Sequence, residues 1–569
     1  MIRRATSIAA LFGVLALVAL VYAPVRHGGF IWDDELCFHK AAWLRSDSWT
    51  HYLFRDFCNW TDYFRPLSVL VLAAQVRWFD AAPEAMHLVS LALHLCNTAL
   101  VWLLARSLAP KQVSHAAFAA LLYGLHPALI EPVYWVGCQY EMLVTLFSLL
   151  GLLANARLRS EWPRAFVVAG CFFLAACSKE AAAAFPLLLV IFDCTATRTA
   201  SLRTLMRQRW RTYLCVFVAG LVYLGLRHWA LGGFSHAGAE PVAPFTRMQK
   251  ISLAYLDYWK VLVLPMAGLG PIHPFDFARL TSGAALAACA FTVAMALGGL
   301  HALRQHRAIG SLIIAVSAAL LPVLHVLPIA FNESLYHERY AMTALAAACA
   351  LLPRVFEDMP RWRITVIAGP ALAATWLVLS VVQIRTTLPL WMDELKLWQW
   401  AAREYPDSLV AKQHLLAKYI ERGDRPQARA MADVLMKDPG SCPVCMLSIA
   451  YLALGDGDST RATAALDRIK SAPALPHDPL FLQEFVVATG GLLELQNQPE
   501  AAETAYRDAM SMNPLDPQPP MNLALLLLRQ GKPAQARAIA DIAASLLASD
   551  QRAPWRKAFA QAVAAAPVP

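Results

Sequence analysis

Three consecutive carboxylates, Asp33, Asp34 and Glu35, follow the aromatic run Phe30-Ile31-Trp32, just beyond an apolar segment that ends near Ala23. Like charges this close repel one another, so at least one pKa is expected to rise unless a cation or an arginine neutralises them. A carboxylate at a membrane surface can serve as a general base or hold a metal. It can equally be a solvated acidic turn.

Other polar residues stand where an apolar one would be expected. Arg65-Pro66 precedes an apolar stretch, and His126-Pro127 and Glu131 close another. Gln139 and Glu141 open the next, Ser178-Lys179-Glu180 joins two more, and Glu333 and Glu338-Arg339-Tyr340 lead into a late one. An ionisable group at membrane depth costs roughly 2–3 kcal/mol on insertion scales and commonly marks a functional cavity. Alternatively, each is interfacial and hydrated, or half of a structural ion pair.

His87 and His94 share one helical face and read as hydrogen-bonded membrane histidines rather than metal ligands. Cys442-Pro-Val-Cys445 has redox-motif spacing but lies in a helical repeat, so a local disulfide or inert thiols fit better. Cys37 and Cys58 form a second pair that can face an oxidising compartment. The sequence contains no Walker loop, no Rossmann glycine pattern in a βαβ setting and no His-Glu-x-x-His.

The elements that carry these residues are membrane helices. Of the 569 residues, 58% are hydrophobic and 16% charged, against about 45–50% and about 25% in soluble chains. The mean hydropathy is +0.45. These values exclude a purely cytosolic enzyme and a secreted disulfide mini-domain. The net charge of +9 arises from arginines in short loops, where topology explains them better than nucleic acid does. Most of the 12 cysteines lie inside apolar segments and behave as small hydrophobes.

Eleven spans are expected, near 5–24, 84–105, 115–133, 139–156, 164–178, 181–194, 212–230, 282–303, 308–330, 339–353 and 364–384. The first is read as a retained helix rather than a cleaved signal. Residues 66–79 and 250–267 are read as helices at the membrane surface. With the N-terminus in the cytoplasm, every cytoplasmic loop is basic: Arg3/Arg4, Arg106/Lys111, Arg157/Arg159/Arg164, Arg198 to Arg211, Arg304/Arg307 and Arg354/Arg361/Arg363. Segments 25–83, 231–281 and 331–338 then lie on the other side, with everything after 385.

The remainder is a helical repeat. Gln427-Ala428-Arg429-Ala430 recurs as Gln535-Ala536-Arg537-Ala538, each four residues after a glycine. Gly423-Asp424 matches Gly457-Asp458, and Gln496-Asn497-Gln498-Pro499 matches Gln530-Gly531-Lys532-Pro533, both at an offset of 34. The Pro-rich stretch 471–479 absorbs a longer interval between. A 34-residue period with alanine at packing positions is the tetratricopeptide signature. The expected fold is therefore all-α: a polytopic membrane helix bundle over 1–390, then a tetratricopeptide α-solenoid over 391–569.

The order of these motifs resembles a known family. An acidic pair follows the first membrane helix, Arg-Pro-Leu precedes a surface helix, and His-Pro with a following Glu ends the third span. An acidic residue then opens the fourth span, followed by Ser-Lys-Glu, a late Glu-Arg-Tyr and the repeat tail. This order is similar to that of the transmembrane and tetratricopeptide-repeat glycosyltransferases, a branch of the GT-C superfamily related to protein O-mannosyltransferases. The resemblance implies a GT-C bundle and a lipid-phosphate sugar donor used on the lumenal or periplasmic side. It implies Asp33 or Asp34 as catalytic base, and Arg65, Lys179 and Arg339 as partners of the donor phosphate. Glu35, His126, Glu131, Glu141, Glu180 and Glu338 would shape the sugar or acceptor site. Gln139 stands where the family commonly has Arg, and Ala341-Met342-Thr343 replaces the usual continuation of Glu-Arg-Tyr.

The implied reaction is an inverting displacement onto a hydroxyl acceptor, protein Ser/Thr, with the tail collecting an extended peptide acceptor. No cofactor beyond the lipid-linked sugar phosphate is implied; a divalent metal is possible but not required. The alternatives are a membrane-anchored scaffold for envelope or pilus assembly and a lipid-linked sugar transporter. Alanine- and arginine-rich composition with short loops suggests a bacterial inner membrane and a periplasmic tail.

Overall fold

The structure is a computed structural model of the chain. It describes residues 2–34, 37–38, 53–54, 63–198, 201–233, 243–264, 266, 268–275, 280, 283–326, 334–359, 363–438, 442–472, 479–547 and 549–565. Among these every regular element is helical, and the one extended pairing is an isolated bridge between Pro274 and Ser334.

The chain is a multi-pass membrane protein. Among the described residues, eight helices are long and apolar enough to span a bilayer, or nine if a bent pair counts as one span. The bent pair, Val113–Gly124 and Pro127–Tyr134, turns through 48°. Pro127 explains the break, because its ring cannot continue the preceding helix. Two of the eleven expected spans fall short of that standard. Glu161–Ser178 is as long as Glu180–Thr197 but opens with Glu161 and Arg164, so it is less apolar. Ala308–Val323 is a shorter apolar helix. Pro66–Phe79 is likewise an apolar helix, of 14 residues.

Two compact units divide the described chain. One comprises Met1–Ile31, His51–Leu72 and Ala82–Asp393; the other comprises Trp32–Thr50, Ala73–Ala81 and Glu394–Pro569.

In the first unit the spans sort into inner and outer helices. Pro83–Leu108, Val136–Arg157, Glu180–Thr197 and Glu338–Asp358 are 56–67% buried, whereas Arg203–Leu231 and Gly283–Arg304 are each 17% buried. The outer helices present Phe217, Leu286 and Leu297 outward, as a lipid-facing helix must. Gln139–Arg157 packs between Pro83–Leu108 and Glu161–Ser178, and Met342–Asp358 packs on Pro83–Leu108 and Val113–Gly124. Gly124 permits close approach of the first helix: a Cβ there would lie 2.6 Å from Val18 Cγ2. Its carbonyl accepts from His94 Nε2 at 2.9 Å.

The second unit contains helical hairpins. Leu409–Glu421 pairs with Arg425–Lys437, Pro443–Asp456 with Ser459–Lys470, Pro479–Leu495 with Pro499–Met512, and Gln518–Arg529 with Pro533–Leu546. Each turn carries a left-handed residue: Gly423, Gly457, Asn497 and Gly531, with φ of 72°, 72°, 57° and 71°. Glycine suits this conformation because it has no Cβ to clash, and Asn tolerates it. Small buried alanines, among them Ala428, Ala462, Ala502 and Ala536, let the paired helices approach. Cys442 and Cys445 form a disulfide at the start of Pro443–Asp456.

Candidate functional site

Helix ends of the first unit bring the singled-out charges together. Glu161–Ser178 ends at Ser178, and Lys179 is fully extended, with φ −164° and ψ 152°. Adjacent side chains on extended backbone point to opposite sides, so Lys179 and Glu180 serve different neighbours. The Lys179 ammonium pairs with Glu141, in the first turn of Gln139–Arg157. Glu180 Oε2 accepts from Arg65 Nη2 at 3.0 Å and from Nε at 3.2 Å. Its other oxygen accepts from Arg227 Nη1 at 3.3 Å. Ser68 Oγ donates to Ser178 O at 2.9 Å and ties the start of Pro66–Phe79 to the same break.

The third cation arrives from another helix start. The Arg339 backbone N–H donates to Glu131 Oε2 at 2.9 Å, and the guanidinium pairs with Glu131 Oε1. Two tyrosine rings then link all three cations. The Arg65 guanidinium lies 4.7 Å from the centre of Tyr140, and the Lys179 ammonium 4.9 Å from that centre. Lys179 is also 4.2 Å from the centre of Tyr340, and Arg339 is 4.6 Å from it. A desolvated cation–ring contact stabilises by about 2 kcal/mol. Arg65, Lys179, Glu131 and Glu141 are buried, and charges out of water persist only when paired in this way.

Glu338 has a different partner set. Its Oε1 accepts from Gly270 N–H at 2.8 Å and from His273 Nε2 at 3.0 Å. Glu338 and Glu131 also line a small cavity with Gly270, Thr387 and Trp391. His126 is engaged by backbone: its Nδ1 accepts from Ala128 N–H at 3.3 Å, and its Nε2 donates to Leu262 O at 3.2 Å. It therefore caps the bend after Val113–Gly124 and fastens it to the end of Pro244–Val263.

Gln139 is bonded to Pro83–Leu108. Its amide donates to Met86 O at 3.2 Å and Ser90 Oγ at 3.0 Å. His87 and His94 are hydrogen-bonded to the carbonyls of Gly29 and Gly124. Among the described residues, no group of three or more His, Cys, Asp or Glu side chains is arranged to hold a metal.

Asp33 and Asp34 belong to the second unit. Asp33 is exposed and its carbonyl accepts from Cys37 N–H at 2.7 Å; Asp34 is 1% exposed. Glu35, Cys58 and Glu333 lie outside the described residues.

The sequence reading passed over Arg227, His273, Tyr140 and Tyr340 as site residues. An arginine inside the apolar run 212–230 was a usable signal for Arg227. Tyr140 and Tyr340 each adjoin residues already singled out. Nothing in the sequence marks His273.

Neither the protein-family models nor the solved structures contain a match to the chain. Over 167 residues the chain is 30% identical to Protein O-mannosyl-transferase Tmtc1 of Drosophila melanogaster. That match spans 27% of this chain and 19% of the Drosophila protein, so it covers well under two thirds of the relative.

Proposed function

We propose that this chain is a membrane glycosyltransferase that moves a sugar from a polyprenyl-phosphate donor to a Ser or Thr hydroxyl of an extracytoplasmic protein. The observation that carries the reading is the set of three cations, Arg65, Lys179 and Arg339, linked through Tyr140 and Tyr340 at the helix ends. The similarity to an O-mannosyl-transferase supports the same reaction class.

In this mechanism Asp33 or Asp34 takes the proton of the acceptor hydroxyl as its oxygen attacks the anomeric carbon. The bond from that carbon to the phosphate oxygen breaks on the opposite face, so configuration inverts. A well-placed base contributes about 10²–10⁴-fold. Fixed cations stabilise the charge that grows on the departing phosphate, and carboxylate partners hold them in place beforehand. Glu131, Glu141, Glu180 and Glu338 offer acceptors to sugar or acceptor hydroxyls. The hairpins of 391–569 are read as tetratricopeptide repeats, whose concave surface collects an extended peptide. The tail then lies in the periplasm of a bacterial inner-membrane protein.

One observation favours a second reading, a membrane-anchored scaffold. Arg65, Lys179 and Arg339 each already have a carboxylate partner, and such a network can serve folding alone.

Intact mass spectrometry of extracytoplasmic proteins separates the two. It compares the native host, a deletion strain, and the deletion complemented with wild type, Asp33→Asn or Asp34→Asn. The transferase reading expects a hexose-sized mass to vanish on deletion and to return fully with wild type, while at least one Asn variant fails to restore it. Full restoration by both Asn variants overturns the carboxylate role and favours the scaffold.

A further inference from the structure

Trp32, immediately before the acidic pair, holds a left-handed backbone with φ 55°. This conformation costs an L residue about 1–2 kcal/mol. It persists only where the surroundings over-determine it, and such strain gathers at functional sites.

The surroundings come from the first helices of the second unit. The Trp32 N–H donates to Glu394 Oε1 at 3.2 Å, and Trp398 Nε1 donates to the same oxygen at 3.3 Å. The other oxygen of Glu394 pairs with Lys418 Nζ at 2.6 Å. The Trp32 ring meets Trp398 edge-on at 5.0 Å and His414 at 5.9 Å. His414 in turn stacks on Trp398 at 3.8 Å, with the rings 3° from parallel. Trp398 is wholly buried. Burial, aided by the charge of Lys418, lowers the His414 pKa to about 3, so the ring is neutral and stacks as an aromatic.

We propose that Glu394, Trp398 and His414 are positioning residues that lock the Trp32 backbone and so aim the Asp33–Asp34 turn. A rotation at Trp32 would swing every atom that follows it. The inference rests on the base role proposed above. It gives the first helices of the C-terminal unit a task distinct from peptide capture. Catalysis on a short acceptor that never touches the hairpins should therefore still depend on Glu394.

The test uses the full chain in detergent, with polyprenyl-phosphate mannose and a short Ser/Thr peptide as probes. Amide hydrogen exchange is read over residues 30–34, and kcat and donor KM are measured for Glu394→Ala and Glu394→Gln. Circular dichroism checks that both variants keep the helix content of wild type.

Glu394→Ala should speed exchange over 30–34 and lower kcat by about 10- to 100-fold, with donor KM held within about twofold. Glu394→Gln keeps an acceptor oxygen for both N–H groups and should retain most of kcat. Unchanged exchange in Glu394→Ala overturns the proposal. So does an unchanged kcat where Asp33→Asn or Asp34→Asn abolishes turnover. If wild type transfers no sugar, or both Asn variants run at full rate, it is the base role that fails, and the exchange result alone decides whether Glu394 locks the turn.

Discussion

Arg339 engages Glu131 twice, through its backbone N–H at 2.9 Å and through its guanidinium. The pair joins the start of one inner span to the end of the bent one. It therefore fixes both a helix start and a charge.

Breaking this pair from one side should be costly. Glu131→Ala leaves the Arg339 guanidinium buried without its carboxylate, a loss of about 3–5 kcal/mol. Thermal unfolding in detergent should show a markedly lower midpoint. Glu131→Leu combined with Arg339→Met should recover part of the midpoint, because two apolar groups leave no unpaired charge, although the Arg339 backbone N–H loses its acceptor. That double variant should stay inactive, since one phosphate partner is gone.

Lys179 should matter for rate as well as for fold, because Lys179→Met also leaves the buried Glu141 carboxylate without its ammonium. Lys179→Met removes the ammonium between the Tyr140 and Tyr340 rings and should lower kcat by about 10²–10³-fold, the loss typical of one transition-state donor. Lys179→Arg keeps the charge and should retain a larger share. Single-turnover transfer to a Ser/Thr peptide measures both. Equal rates for wild type and Lys179→Met would remove this residue from the phosphate site.

Acid should loosen the second unit through His414. The folded pKa of about 3 lies below the ordinary histidine value, about 6.5 in an unfolded chain. The unfolded state therefore binds the extra proton first. Stability is fully present above about pH 6.5 and is lost as pH falls towards 3. His414→Phe keeps the stack without the titration, and should flatten the dependence of the melting midpoint on pH across that window.

The hairpin turns should tolerate only residues that accept a left-handed backbone. Gly531→Val places a β-branched side chain at φ 71° and should destabilise the unit by about 1–2 kcal/mol. Asn497→Gly should change stability by less than about 1 kcal/mol, since Asn already accepts that region. Chemical unfolding of the full chain, followed by tryptophan fluorescence, reads both.

Much of this arrangement is legible from residue order. Apolar runs of spanning length, their basic loops and the 34-residue repeat follow from local rules, because a helix in lipid satisfies its own backbone and a turn needs its own left-handed residue. Asn497 in the place of Gly531 shows this at a single position. The charged residues near span ends were visible too, since any ionisable group next to an apolar run is conspicuous.

The sequence alone therefore determined that this is an all-helical membrane chain with a helical tail, and which charges crowd the helix ends. Tertiary structure alone decided the pairing: Lys179 with Glu141, Glu180 with Arg65 and Arg227, Arg339 with Glu131, and Glu338 with His273. It also decided that His126 binds backbone, that Gln139 binds the Met86 carbonyl and the Ser90 hydroxyl, and that Trp32 is gripped from Glu394, 362 residues away. The physical reason is that helix ends are set by local backbone chemistry, whereas the partner of a buried charge is set by which ends pack together and which way one extended residue turns its neighbours.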